Sequence, residues 1–183
     1  TSKAWRRSAS NLGADTKTRN FDKTNDYYWR MNSRRMESQV VRDSLLHLTG
    51  ELDLTIGGPS IEPSPDVRRR ALYFLHSRDK QSKFLATFDD AEILSCYERT
   101  ESIVPQQALA LSNAKVPLKV SEILGKRGPK DNESYIRQVF SDILCRPPTD
   151  EELQECLDFL KDIPKRSRLV HALLTHNDFL TIR

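Results

Sequence analysis

From Val116 onward the sequence repeats one arrangement, a stretch of helical apolar spacing followed by a stop signal. Val116, Val120, Ile123 and Leu124 mark a helix that ends at Gly125, and "KRGPKDN" follows as a loop. Ile136, Val139, Phe140, Ile143 and Leu144 then fall at i, i+3, i+4, i+7 and i+8, the spacing of one face of an amphipathic helix. Pro147 and Pro148 stop that helix, and Thr149 with Glu152 makes a T-x-x-E capping box for the next. Leu153, Cys156, Leu157 and Leu160 give its apolar face. Pro164 separates a last helix, which carries Leu169, Val170, Leu173 and Leu174 and ends near Asn177.

The upstream half is less regular. Residues 1–26 are polar, rich in Ser, Thr, Asn, Lys and Arg, and without period, so they read as a flexible arm or part of an upstream segment. Order is expected to begin at Tyr27, Tyr28 and Trp29, and 27–183 reads as a single helical domain. From Arg34 to Leu48 the pattern is helical, with Met36, Val40, Val41, Leu45 and Leu48 near one face and Arg42 and Asp43 elsewhere; Gly50 fits a left-handed cap. "IGGPSIEPSP", Ile56 to Pro65, excludes regular structure. The run Ala71–Leu75 reads as a buried extended segment or a short helix. Asp89 is placed to N-cap a short helix through Ser95. Pro105 suits a first helical turn, with Gln106 and Gln107 beside it and Ala108, Leu109 and Leu111 directed to the core. The sum is a mainly α, irregular helical domain with a loop-rich middle and a C-terminal set of short amphipathic helices.

A chain of 183 residues suffices for one core. No apolar run approaches the ~18 residues of a membrane span. The net charge of +3 does not by itself imply a nucleic-acid partner. The cysteines, Cys96, Cys145 and Cys156, form neither CxxC nor CxxCH. Cys145 and Cys156 are either small buried hydrophobes or, if their helices run antiparallel, a pair. The first residues lack both Met and a signal-like apolar core, which reads as an excised or processed piece.

Motifs for chemistry are sparse. His171 and His176 lie five apart, off a shared helix face, and no cysteine or carboxylate cluster surrounds them, so no metal site is expected. There is no G-x-S-x-G elbow, and Gly57-Gly58 lacks the lysine of a phosphate loop. Arg34-Arg35, Arg68-Arg69-Arg70, Lys126-Arg127 and Lys165-Arg166 are scattered among balancing acids. The densest polar residues beside apolar runs are Arg42, Asp43, Arg70, Tyr73, Arg78 and Asp89, continuing through Arg99, Ser102, Gln106, Gln107 and Asn113. Such groups require partners, so they form either a network that pins a loop-rich core or the lining of a cleft.

"RRMESQVVRDSLL", "TIGGPSI", "RRRALYF", "FDDAEILSCYERTESIVPQQALALSN", "RPPTDEEL" and "LLTHNDFL" occur in this order. Together they resemble the C-terminal domain of unknown function, family fifteen-fifty-three, of large planctomycete proteins, over about Tyr27 to Phe179. Arg34, Arg35, Arg42, Asp43 and Ser44 match one motif of the family. Gly57-Gly58-Pro59, then Arg69, Arg70 and Tyr73, then Phe88-Asp89 match others. Gln106, Gln107, Ala108 and Leu109 match part of a T-P-Q-Q-A-L pattern, with Val104 in place of Thr. The resemblance implies a cell-envelope or periplasmic protein with a separate upstream cytochrome c domain as partner, and no haem or other cofactor in this chain. It carries no catalytic assignment. The expected function is a non-catalytic binding or scaffolding module. The alternatives are a hydrolase or other enzyme acting on an envelope or extracellular polysaccharide, and anion or nucleic-acid binding through the arginine clusters.

Overall fold

The computed structural model describes Lys3, Arg7 and residues 15–77, 79–91 and 105–182. Within these it is mainly helical, with eight α-helices and two short strands. It divides into two compact units, Thr1–Met36 with Leu180–Arg183, and Glu37–Phe179.

The first unit holds α1 (Thr16–Phe21) and an antiparallel pair, β1 (Arg34–Arg35) with β2 (Thr181–Ile182). α1 thus puts a short helix within residues 1–26, the stretch that reads in sequence as a flexible arm or part of an upstream segment. Behind α1, side chains substitute for regular backbone pairing. The Asp22 carboxylate accepts the backbone N–H groups of Asp26 and Tyr27, and Asn25 bonds Arg30 and Asn32. Trp29 donates its indole N–H to the Asp22 carbonyl. Order therefore begins before Tyr27, and it is polar residues that create it. Tyr27 and Tyr28 are exposed.

The second unit opens with α2 (Ser38–Thr49), ended by Gly50 at φ 75° as its spacing predicts. Met36 and the two arginines before it lie outside the helix, because Met36 donates its N–H to Leu180 instead. Val41, Leu45 and Leu46 are buried, and so is Arg42, which the spacing assigns elsewhere; Val40 is exposed. The Gly/Pro stretch and the segment after it are joined by two isolated parallel bridges, Asp53 with Arg69 and Ile61 with Phe74. Between the bridges Ala71–Tyr73 makes a 3-10 turn. The ambiguous apolar run is thus both extended and helical, and only partly buried, since Leu72 faces solvent. A short α3 (Lys83–Thr87), capped by the Ser82 hydroxyl, has no counterpart in the sequence reading.

α4 (Pro105–Asn113), α5 (Lys115–Gly125), α6 (Asn132–Leu144), α7 (Asp150–Asp162) and α8 (Arg166–Thr175) complete the unit. α6 and α7 follow the predicted apolar spacing, and the Thr149–Glu152 capping box is present in full. Gly125 has a different role from the one its position suggests. It is the last residue of α5, and a Cβ there would lie 2.6 Å from the Ser167 backbone nitrogen. Its missing side chain lets α8 approach α5. Cys145 and Cys156 are both free thiols; Cys145 is exposed and adopts a left-handed φ of 54° at the end of α6, so it is not a buried hydrophobe.

Candidate functional site

Arg42 and Asp43, adjacent on α2, organise the polar middle of the chain. The Arg42 side chain is 4% exposed. One terminal nitrogen donates to Asp43 Oδ1 at 3.1 Å and to the Arg69 carbonyl at 3.0 Å; the other donates to the Val67 carbonyl. Its guanidinium also lies 4.5 Å from the Phe74 ring centre. Burial pulls the guanidinium below its ordinary pKa, and Asp43 opposes that shift by favouring the cation. Asp43 in turn accepts the Ala71 backbone N–H at 2.9 Å, and its Oδ2 lies 3.8 Å from Arg70 Nε. Two neighbouring side chains therefore fasten α2 to residues 67–71, a segment with few ladder bonds of its own.

Beside this pair opens a cavity of about 370 Å³, whose charged lining is Glu37, Asp43, Arg70, His76 and Asp90. Asp90, rather than the predicted Asp89, closes it on the α2 side. Its Oδ1 accepts Gln39 Nε2 at 2.6 Å, the Ser38 hydroxyl at 3.2 Å and the Ala91 N–H at 3.0 Å. His76 Nδ1 stands 4.0 Å from Asp90 Oδ2. Val40, Leu72 and Phe74 supply apolar wall, and Gln81 and Ser77 reach the same space. Sequence reading missed Asp90, His76 and Gln81. The adjacent Asp89-Asp90 pair was the available signal, but nothing local decides which of two neighbouring aspartates turns inward.

Asp89 itself has a left-handed φ of 57°, which is not the extended geometry of an N-cap. Its carboxylate meets Gln107 Nε2 at 3.3 Å. Gln107 is buried with Leu111 one turn later, whereas Gln106, Ala108 and Leu109 face solvent. The core face of α4 thus runs through a glutamine, contrary to the apolar spacing. Tyr73 accepts the Gly57 N–H on its hydroxyl at 2.9 Å, and Arg69 stacks on the same ring at 4.1 Å while donating to the Gly57 carbonyl. Those two side chains hold the Gly-Gly-Pro loop apart from the cavity. Asn113 lines a different cavity, behind Phe74. Arg78, Arg99 and Ser102 lie outside the described residues, as does most of the helix expected after Asp89.

Within the second unit, the arginines of two basic clusters are engaged separately. Arg68 pairs with Glu51 at 3.2 Å, Arg69 serves the loop and Arg70 faces Asp43. Arg166 bonds the Pro129 and Lys130 carbonyls and Asn132, and stacks on Tyr135. Among the described residues no group of three or more His, Cys, Asp or Glu is arranged to hold a metal ion. No described helix is long and apolar enough to cross a membrane.

The family model described as PSD1, Protein of unknown function (DUF1553), matches residues 1–160, and the chain belongs to this family. The match takes in the N-terminal residues that the resemblance in sequence leaves out. No curated protein and no solved structure matches the chain.

Proposed function

We propose that this member of the DUF1553 family is a non-catalytic binding module, and that the cavity beside Asp43 and Asp90 holds a small, hydroxyl-rich ligand such as one sugar unit of an extracellular polymer. One observation carries the reading: the inner carboxylates are engaged by the protein itself, next to space that remains open. Asp43 Oδ1 accepts from Arg42 and from the Ala71 amide, and Asp90 Oδ1 accepts three donors. A general acid or base needs a lone pair or proton within reach of the reacting group. These oxygens instead set the cavity wall. The groups left to meet a ligand are the half-exposed Arg70 guanidinium, the His76 ring and the Gln81 amide, a donor-rich set over the apolar surface of Leu72 and Phe74. Polar groups placed few and far apart on apolar wall are the usual means of orienting a small ligand. The wider setting of the reading is a cell-envelope protein in which this module positions a separate c-type cytochrome domain.

Calorimetric titration with neutral oligosaccharides tests it. Binding that survives high salt and is lost in Gln81→Ala and Arg70→Ala, with the melting temperature unchanged, supports the site. Failure of all neutral glycans to bind refutes it. A second reading, hydrolysis of a polysaccharide, is favoured by the His76–Asp90 pair, with His76 Nδ1 4.0 Å from Asp90 Oδ2 at the cavity wall. Under that reading product sugar accumulates with time, and His76→Ala abolishes it.

A further inference from the structure

Phe74 and its neighbours separate the first cavity from a second of about 500 Å³, and the two differ in charge. Pro63, Phe74, Gln81 and Ser82 line both. The first has three acidic residues in its lining; the second has none, and carries Arg42, Lys83 and Lys115. We propose that the second cavity binds a small organic anion with an apolar, ring-sized body.

The apolar body is set by the wall: Phe74, Phe84, Pro63, Pro65 and Val116. Phe84 is itself held by Phe88, ring centre to ring centre at 5.0 Å. Phe74 is covered on one face by the Arg42 guanidinium, which fixes the ring rather than leaving it to collapse inward. The volume lies in the range of small-molecule sites, ~300–1,000 Å³. The charge is set by the two lysines. Among the described residues neither Lys83 nor Lys115 has a carboxylate within ion-pair distance, whereas several other cations of this unit do: Arg68 and Lys119 share Glu51, Lys80 meets Glu62, and Arg146 holds two acids. Lys83 and Lys115, exposed on two different helices, α3 and α5, thus border a space that contains aromatic surface and no acidic residue. Asn113 adds an amide that makes no side-chain hydrogen bond to the described residues. A neutral ligand would leave the ammonium groups unused, and an inorganic anion would leave the apolar wall wet. An aryl carboxylate satisfies both. Arg70 and His76 of the sugar reading line only the first cavity, so Arg70→Ala tells the two sites apart even though Phe74 and Gln81 are shared.

The test is isothermal titration calorimetry of the full chain at low ionic strength, where exposed charges are least screened, with 2-naphthoate, uncharged 2-naphthamide and sodium sulfate. 2-Naphthoate is expected to bind one-to-one, the amide about tenfold more weakly and sulfate not measurably, because two partly exposed charge contacts together amount to roughly one decade. Lys83→Gln with Lys115→Gln brings naphthoate down to the amide's affinity and leaves the amide and the melting temperature unchanged. Phe84→Ala weakens both aromatic probes, and Arg70→Ala weakens neither. Equal affinity for acid and amide overturns the proposal. So does sulfate binding as tight as naphthoate, or no heat from any probe at millimolar concentration.

Discussion

Replacing Gly125 with alanine is expected to destabilise the protein, although alanine is the better helix former. Three atoms of Ser167 would stand at 2.6, 2.8 and 3.0 Å from the new Cβ, and the nearest two are backbone. Ordinary carbon contacts begin near ~3.5 Å, so α5 and α8 must separate by roughly 0.9 Å or shear past each other. A gap of about that size forfeits a quarter to a half of the dispersion well at each facing pair. Val120, Leu124, Val170 and Leu173 are buried on these two helices, so the loss extends beyond the substituted residue. Overpacking of this kind costs ~1–3 kcal/mol. Alanine returns at most ~1 kcal/mol of helix propensity. The net expectation is a loss of about 1–2 kcal/mol, read from urea denaturation followed by circular dichroism, with a melting temperature lower by roughly 2–8 °C for a chain of this size. A stability equal to or above that of the parent would refute the argument, because propensity alone would then decide. Rescue by Ser167→Gly would refute it differently, since that change removes a Cβ and leaves the two closest atoms in place.

Arg42→Met removes one partner of a buried, hydrogen-bonded pair and strands the Val67 and Arg69 carbonyls; a loss of about 3–5 kcal/mol is expected in the same denaturation assay, with Arg42→Lys recovering only part because an ammonium cannot reproduce the fork. Glu152 is held down to about 2, chiefly by its hydrogen bonds from Arg146. A carboxylate depressed in the folded state contributes stability above its ordinary value near 4.5 and loses it as the pH falls toward 2. Glu152→Gln should therefore flatten the acid limb of a stability-against-pH curve in that window. Burial pushes the Tyr135 phenol up to about 12 from 10.0. Its contribution is complete below pH 10 and is lost as the pH rises through the folded value. Ultraviolet titration should find one tyrosine ionising last, and Tyr135→Phe should remove that step.

The C-terminal half was legible because its determinants are local. The spacing of Ile136 through Leu144 and the pair Thr149–Glu152 sit within one or two turns, where helix geometry alone decides which side chains meet. Arg42 and Asp43 were legible as a polar pair beside an apolar run, although their partners were not. Those partners are the carbonyls of Val67 and Arg69 and the amide of Ala71, supplied by a segment 25–28 residues away. No period in the sequence encodes a side chain bonding to distant backbone. α4 misled for a related reason. Its leucines suggest a face through Leu109, yet the neighbour facing Gln107 is a carboxylate, and the match of amide to acid turned the helix so that Leu109 faces water. Gly125 at the end of a pattern signals a stop as readily as a close approach, and only the position of Ser167 separates the two.

The Arg146 guanidinium touches Glu152 six residues ahead and Asp178 thirty-two residues ahead. Closing the longer loop costs more chain entropy by about 1.5 kcal/mol, from the logarithmic growth of that cost with length. The two contacts are therefore expected to form in different steps of folding, the shorter loop first. The turn between α6 and α7 can form early with Glu152 alone, and Asp178 then acts as a latch that engages once α8 has docked. Weakening the first contact should slow folding, and weakening the second should mainly hasten unfolding. One side chain thereby links the opening and closing steps of the same folding reaction.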